Sequence, residues 1–436
     1  MSADPGIARL LRLQPFERAG MRPGLERIHA LLDRLGHPEA GLRILHVGGT
    51  NGKGSVCALA EAIFRAAGLR TGCYTSPHLR DLSERIRIGG LPIEADRLAR
   101  CVAALGDALD GGVTFFEAMT AVALAAFRDA AVDVAVLEVG LGGRWDATTV
   151  GSPLAAAVTR IDYDHQEYLG QRLEEIAAEK AAIIRGGLAL SAAQAAEAMA
   201  VIQGRCRALG VPLWIEGRDL HAEVVRSDAR GHRLHLAGPG WVVRDVDLAL
   251  AGGFQPANAA LAVGAARGVA QAAGVPLPDA AIRTGCAAVR WPGRFQVLPA
   301  QAGQPAIVLD GAHNPGGAAA LAASLAGYFP GARLTLILGI SVDKDRAGIL
   351  KALAPLATRI VLTAAAHPRA TPPTELASAL PPVEARVALT ASAGEALDLA
   401  LADPAADVVC VAGSLFLVGD ALAWLESHGA LDPRRA

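Results

Sequence analysis

The sequence predicts an α/β protein with two doubly wound domains and a small antiparallel sheet beside the first. Short apolar runs alternate with helix-length stretches in two separate series, one starting at residue 42 and the other at residue 306. Between the two series, residues 214–250 change to an alternating pattern of period 2. The length of 436 residues exceeds one domain at roughly 100–200 residues per domain.

Residues 42–47 form the first apolar run; GGTNGKGS follows at 48–55, then VCALAEAIFRAAG, a helical pattern closing on Gly68. That is a strand, a glycine loop and a helix. At Thr114 the segment TFFEAMTAVALAAF opens with T-x-x-E, a capping box, and leads into the strand-like DVAVLEV at 133–139. Strands separated by helices predict parallel pairing. HAEVVRS, HRLHLA and WVVRDVDLAL read as short antiparallel strands joined by Gly and Asp turns. The second series has apolar runs at 306–309, 334–338, 360–362 and 408–412. Pro292, Gly293, Pro299 and Gly303 break the periodicity and put a linker near residues 290–300.

Lys plus Arg number 41 and Asp plus Glu 43, a formal net charge of -2 without a like-charge run, which argues against a nucleic-acid-coating role. A hydrophobic fraction of 52% with 19% charged residues fits a packed chain, not a disordered one. The longest uncharged window, residues 248–266, contains Gln255, Pro256, Asn258 and several glycines, so no membrane span is expected. The N-terminal MSADPGIARLLRLQPFERAG lacks the apolar core and cleavage site of a secretion signal, and a cytoplasmic location is expected. Cys57, Cys73, Cys101, Cys206, Cys286 and Cys410 lie far apart without a C-x-x-C pair and read as small buried hydrophobes.

Successive N–H groups at a helix start form an anion cradle, and glycine removes the Cβ atoms that would keep a phosphate away. Gly49, Thr50, Asn51, Gly52, Lys53, Gly54 and Ser55 are therefore the nucleotide-binding candidates, with Lys53 reaching the terminal phosphates. The spacing departs twice from G-x-x-x-x-G-K-[ST], so the pattern alone leaves a tight strand-to-helix turn open as the alternative. Glu138 follows the apolar VAVL and Asp310 follows AIVL. Both would stand at the carboxyl ends of parallel strands, where α/β sheets hold ligands; a solvated acid and a helix-capping aspartate are the respective alternatives.

HVGGTNGKGS, TSPHL, FFEAMTA, EVGLGGRWDAT, DHQEYLG, AAEKAAII, PGRFQ, DGAHNPGG, SVDKD, HPRA and AGSLFLVG occur in one order. Together they closely resemble the bacterial dihydrofolate synthase/folylpolyglutamate synthase family of the Mur ligase superfamily, over nearly the whole chain. The resemblance implies a P-loop-type N-terminal ATPase domain that binds ATP and folate, with the side sheet, over residues 1–296. It implies a Rossmann-like glutamate ligase domain over residues 297–436. The implied reaction is ATP-dependent amide formation: a substrate carboxylate takes the γ-phosphoryl group, and the amine of L-glutamate displaces phosphate from the acyl phosphate. ATP and Mg2+ are the implied cofactors, with dihydropteroate, reduced folates and L-glutamate as substrates. No nucleic-acid or membrane partner is expected, and the expected state is a monomer.

By this resemblance Ser76, Glu138 and His165 hold magnesium. Lys180 matches a lysine that is carbamylated in similar proteins and helps bind a second metal; read by itself it is a helix-surface partner for a glutamate one turn away. Lys53, Lys180 and His313 are the catalytic candidates. Arg294 and Asp310 match residues that reach the nucleotide from the second domain, which would require domain closure. Asn258 matches an asparagine near the base, although Phe254 stands where the family has histidine. Arg85 and Ser414 are the glutamate-side candidates. Asp146 matches an aspartate for the pterin, with Trp145 and Thr149 departing from the commonest residues. A carboxylate accepting paired N–H groups would orient that ring, and Phe115 or Phe116 would pack on it or belong to the helix core. A folylpolyglutamate synthase lacking the first activity, another Mur-type ligase and a non-catalytic ATP-binding protein remain as alternatives.

Overall fold

The computed structural model describes residues 5–14, 22–301 and 304–430. Gly303 of the expected linker and part of the N-terminal segment read for a secretion signal lie outside the described residues. The chain divides into two compact units. Unit 1 comprises Met1–Glu223, His235–Val246 and Ala257–Ala288, and unit 2 comprises Val224–Leu234, Asp247–Pro256 and Val289–Ala436.

Unit 1 is built on an eight-stranded sheet. Its strands are β1 (Ile44–Gly48), β2 (Thr71–Tyr74), β3 (Ile86–Ile88), β4 (Leu91–Pro92), β5 (Val134–Glu138), β6 (Pro153–Val158), β7 (Leu188–Ser191) and β8 (Leu213–Ile215). They lie in the order β4-β3-β2-β5-β1-β6-β7-β8. From β2 to β8 the neighbours are parallel, and β3 and β4 add an antiparallel edge. β1 and β5 are buried at every residue, which is why they read as continuous apolar runs without alternation. The chain passes from β1 to β2 and β5 on one side, then to β6 on the other, so the strand order reverses at β1. Such a reversal opens a crevice at the carboxyl ends of the strands. The helix Phe115–Asp129 starts at the expected capping box: the Thr114 side chain accepts from the Glu117 N–H, and Glu117 accepts from the Thr114 N–H.

β9 (His221–Asp228), β10 (Gly231–Gly238) and β11 (Trp241–Leu248) form the three-stranded side sheet in the order β11-β10-β9. Two-residue turns join these strands, a length that only antiparallel neighbours allow.

Unit 2 contains a six-stranded sheet of β12 (Gln296–Leu298), β13 (Ala306–Leu309), β14 (Leu334–Leu338), β15 (Arg359–Leu362), β16 (Arg386–Leu389) and β17 (Val408–Ala412). The order is β12-β13-β17-β14-β15-β16, parallel except for β12. The long continuous segment of unit 2 begins at Val289. β12 pairs with β13, and Phe295 lies in the core with Val308 and Leu336. The unit also takes Val224–Leu234, which belongs to β9 and β10 of the side sheet, and Asp247–Pro256, and both segments bond to the helix Pro315–Tyr328. The Ser227 hydroxyl donates to the Tyr328 oxygen at 2.8 Å, and the Gly253 N–H donates to Ser324 Oγ at 3.1 Å.

Among the described residues no helix is long and apolar enough to cross a membrane. The uncharged window around residue 255 is broken where the helix Gln255–Ala273 begins. All six cysteines are free and buried.

Candidate active site

The glycine loop leaves β1 and enters the helix Lys53–Ala66 through Gly52, whose φ of 97° is the left-handed conformation that favours glycine. A Cβ at Gly52 would lie 2.6 Å from the Asn258 side-chain oxygen, so the loop passes close beside Asn258. The segment after β6 holds the loop. Thr50 and Asn51 both donate their N–H groups to the Arg160 carbonyl, at 2.9 and 3.1 Å. The Thr50 hydroxyl bonds the Asp162 backbone, and Thr159 bonds Gly48 through both its N–H and its hydroxyl. Two lysines donate to loop carbonyls: Lys53 Nζ to Gly49 at 3.2 Å and Thr50 at 3.1 Å, and Lys180 Nζ to Gly49 at 3.0 Å. Lys180 is 4% exposed, so it is not the solvated helix-surface lysine of the plain reading.

Glu138 ends β5, beside Val47 of β1, and is buried. One of its oxygens accepts the Ser76 N–H at 3.2 Å, which places two of the expected metal residues together. His165 caps the short helix Gln166–Leu169 in a left-handed conformation, φ 51°, and its Nε2 stands 3.8 Å from Asp164. Among the described residues no group of three or more His, Cys, Asp or Glu side chains is arranged to hold a metal. Mg2+ does not require one, since it commonly keeps several waters and takes one or two carboxylates plus phosphate oxygens. A buried carboxylate at a strand end beside a serine fits that ion.

The 140–149 loop bears on the residues expected at the pterin. Asp146, expected to face a pterin, faces its own loop: Oδ2 accepts the Gly140 and Leu141 N–H groups, each at 2.9 Å, and Oδ1 accepts the Thr148 N–H at 2.9 Å and the Thr148 hydroxyl. Burial pushes its carboxyl pKa up, and the Thr148 hydroxyl and the three N–H groups pull it back. Phe115 is fully buried in the helix core, the second of the two readings left open for it, and stands beneath the Arg85 guanidinium, 5.0 Å from the ring centre. Phe116, one position on, is half-buried against the loop: a Cβ at Gly140 would lie 2.5 Å from its ring. Arg85 itself is 7% exposed, and its Nε donates to His78 Nδ1 at 2.9 Å.

In unit 2 the candidates also gather at the carboxyl ends of strands. Asp310 follows β13 but is not a helix cap; Asn314 caps the helix that follows, and Asp310 accepts the Phe295 N–H at 2.7 Å and the Ala312 N–H at 2.8 Å. Burial raises its pKa, and the charge of Arg294 lowers it again. His313 is half-buried, with Nδ1 2.7 Å from the Gly311 carbonyl. Ser414 caps the helix Leu415–Ser427 and lines a small concavity with Gly339, Ser341, His367 and Phe416. There the rings of His367 and Phe416 stack at 3.7 Å, and Arg369 covers Phe416 from 5.5 Å.

Sequence reasoning missed several of these residues. Gln194 clamps the segment that holds the glycine loop, donating to the Thr159 carbonyl at 2.9 Å and accepting the Ile161 N–H at 2.8 Å. It stands in an unremarkable loop, and no local pattern marks it. His367 and Arg369 were quoted within HPRA without a role. The stack on Phe416 becomes visible only when β15 and β17 are placed in one sheet.

Comparison with known proteins gives a consistent picture. The Mur ligase middle domain matches residues 47–266, and the Mur ligase glutamate ligase domain matches residues 293–415. A Halobacterium salinarum protein named "Probable bifunctional folylpolyglutamate synthase/dihydropteroate synthase" is 38% identical over 94% of this chain and 50% of its own length. The chain therefore spans about half the length of that relative. The dihydrofolate synthase/folylpolyglutamate synthase of Mycobacterium tuberculosis is 38% identical over 84% of this chain and 80% of that protein. Among solved structures, E. coli FolC in complex with DHPP and ADP superimposes with a TM-score of 0.87 at 31% identity, covering 98% of this chain and 99% of that one.

Proposed function

Because the chain belongs to the dihydrofolate synthase/folylpolyglutamate synthase family of Mur ligases, we propose that it joins L-glutamate to dihydropteroate and to reduced folates, using ATP and passing through an acyl phosphate. The observation that carries this reading is the convergence of a glycine loop, two lysines and a buried carboxylate at the carboxyl ends of β1, β5 and β6. Phosphoryl transfer needs position and charge neutralisation above all, and these residues supply both.

In this reading the N–H groups of residues 49–55 and the Lys53 ammonium bind the ATP phosphates. Lys180 fixes the loop by its bond to Gly49. Glu138 and Ser76, with His165, would hold Mg2+, which when bound spreads the phosphate charge. Arg85 suits the carboxylate of an incoming glutamate: it is buried, and among the described residues no carboxylate forms an ion pair with it. A buried guanidinium without a counter-charge is costly, and a substrate carboxylate removes that cost. The concavity around Ser414 and His367 is the glutamate-side candidate within unit 2. The six buried cysteines suit a reducing cytoplasm.

The test is glutamate-dependent phosphate release with ATP and Mg2+, using dihydropteroate and tetrahydrofolate in parallel. Activity with both acceptors is the expected result. Release with tetrahydrofolate alone would leave a folylpolyglutamate synthase, and release with neither would refute the ligase reading.

A further inference from the structure

We propose that His46 and Thr148 are positioning residues that set the 140–149 loop from the strand carrying the glycine loop. One buried hydrogen-bond chain would then align the nucleotide loop with the loop beside the acceptor. The inference rests on the ligase reading and adds two residues that it does not use.

His46 lies in β1, two residues ahead of Gly48, and faces Leu137, the residue before Glu138 in β5. It is 2% exposed, and its Nε2 is 2.9 Å from Thr148 Oγ1. A hydroxyl has one proton to give, and here Thr148 gives it to Asp146 Oδ1. The Thr148 oxygen is left as an acceptor, so the proton on the imidazole must be on Nε2, donating to it. Burial keeps that ring neutral, with its pKa lowered to about 3. The chain continues through Asp146 to the N–H groups of Gly140 and Leu141. Its far end therefore fixes the backbone immediately after Glu138, in a loop that carries the exposed Trp145 and rests on Phe116. Breaking a satisfied buried network strands both partners, so its members act on geometry well beyond their own volume.

Two sets of measurements on the full-length protein test this. In wild-type protein, 15N NMR should find the His46 proton on Nε2, with the Gly140 and Leu141 amides protected from exchange; a proton on Nδ1 overturns the proposal. In kinetics, Thr148→Val should lower kcat/KM for dihydropteroate by about 10- to 100-fold while KM for glutamate stays within about twofold, and Thr148→Ser should restore most of the loss. If Thr148→Val does not fold, His46→Gln, which keeps a donor, and His46→Leu, which does not, should separate in the same way. Equal acceptor kinetics within either pair overturns the positioning role. Wild-type protein without glutamate-dependent phosphate release overturns the ligase reading and the acceptor role with it. The NMR measurement then reports on the hydrogen-bond chain alone, so the two failures are distinguishable.

Discussion

The loops that leave β1 and β5 are adjacent in the sheet but built with opposite polarity. After β1, the ammonium groups of Lys53 and Lys180 sit on the carbonyls of Gly49 and Thr50. After β5, the Asp146 carboxylate sits on the N–H groups of Gly140, Leu141 and Thr148. Cations on carbonyls bring positive charge to a loop at a helix start, which suits an anion. A carboxylate on N–H groups consumes the donors an anion would need, so the second loop suits a neutral or aromatic ligand against Trp145 and Phe116. A charged residue at a strand end is therefore best read by what its atoms already hold.

The largest effect expected from this contrast is at the first loop. Lys53→Ala removes a charge that the phosphates need, and turnover should fall by about 10³-fold or more with the thermal midpoint little changed. Retained activity at saturating ATP would put the loop outside the mechanism and erase the contrast. Glu138→Gln comes next, with a loss of about 10²-fold that raised Mg2+ or Mn2+ partly restores. A loss that no metal concentration alters would mean that the carboxylate acts in some way other than holding an ion.

At the second loop, Asp146→Ala should act on both fold and substrate choice. It leaves the buried Thr148 N–H and the part-buried Gly140 and Leu141 N–H groups without their acceptor, at about 1–3 kcal/mol for the buried group and less for the others, so the thermal midpoint should drop by several degrees. Ligation to dihydropteroate should suffer more than ligation to tetrahydrofolate, since the former has no glutamate tail to add binding. Equal losses on the two acceptors, with an unchanged midpoint, would show that Asp146 neither builds the loop nor selects the acceptor.

What could be read from the chain itself follows the same division. Lys53, Glu138 and the Thr114 capping box were legible because each depends on neighbours within a few residues, in patterns with a known physical purpose. Phe115 and Phe116 could not be separated by inspection: one helical step turns a side chain by about 100°, enough to send one ring into the core and lay the other on Gly140. β12 and β16 were missed for different reasons. β12 is three residues long, and its apolar character is spent on a partner strand across a break in periodicity. β16 is a mostly exposed edge, and its residues carry little pattern. The bonds of Asp146 to its own loop were not read from the chain, although D-x-T, with the threonine two residues on, is a local hydrogen-bonding pattern that could have suggested them.

The smallest effect expected at neutral pH is also the most direct probe of how the two loops are joined. The His46 pKa falls from about 6.5 to about 3 on folding, through burial first and then the charge of Arg185. Above pH 6.5 both folded and unfolded chains hold this ring neutral, and its full contribution to stability is present. As pH falls below that value, the unfolded chain takes up the proton and the folded one refuses it until near pH 3, so stability declines across that window by at most ~1.4 kcal/mol per pH unit. Asp146 works in the opposite sense: its pKa is raised, so the folded state holds a proton more readily than the unfolded one, and part of its burial cost is relieved in acid. Urea unfolding of wild type and His46→Gln at pH 7.5, 6.0 and 5.0 separates these contributions. The Gln variant should be less stable than wild type at pH 7.5, where its network is imperfect, and lose less on acidification, so that the gap between the two curves narrows as pH falls. Parallel curves would mean that His46 takes up its proton in the folded state, and the neutral Nε2 donor that joins β1 to the Asp146 loop would have to be abandoned.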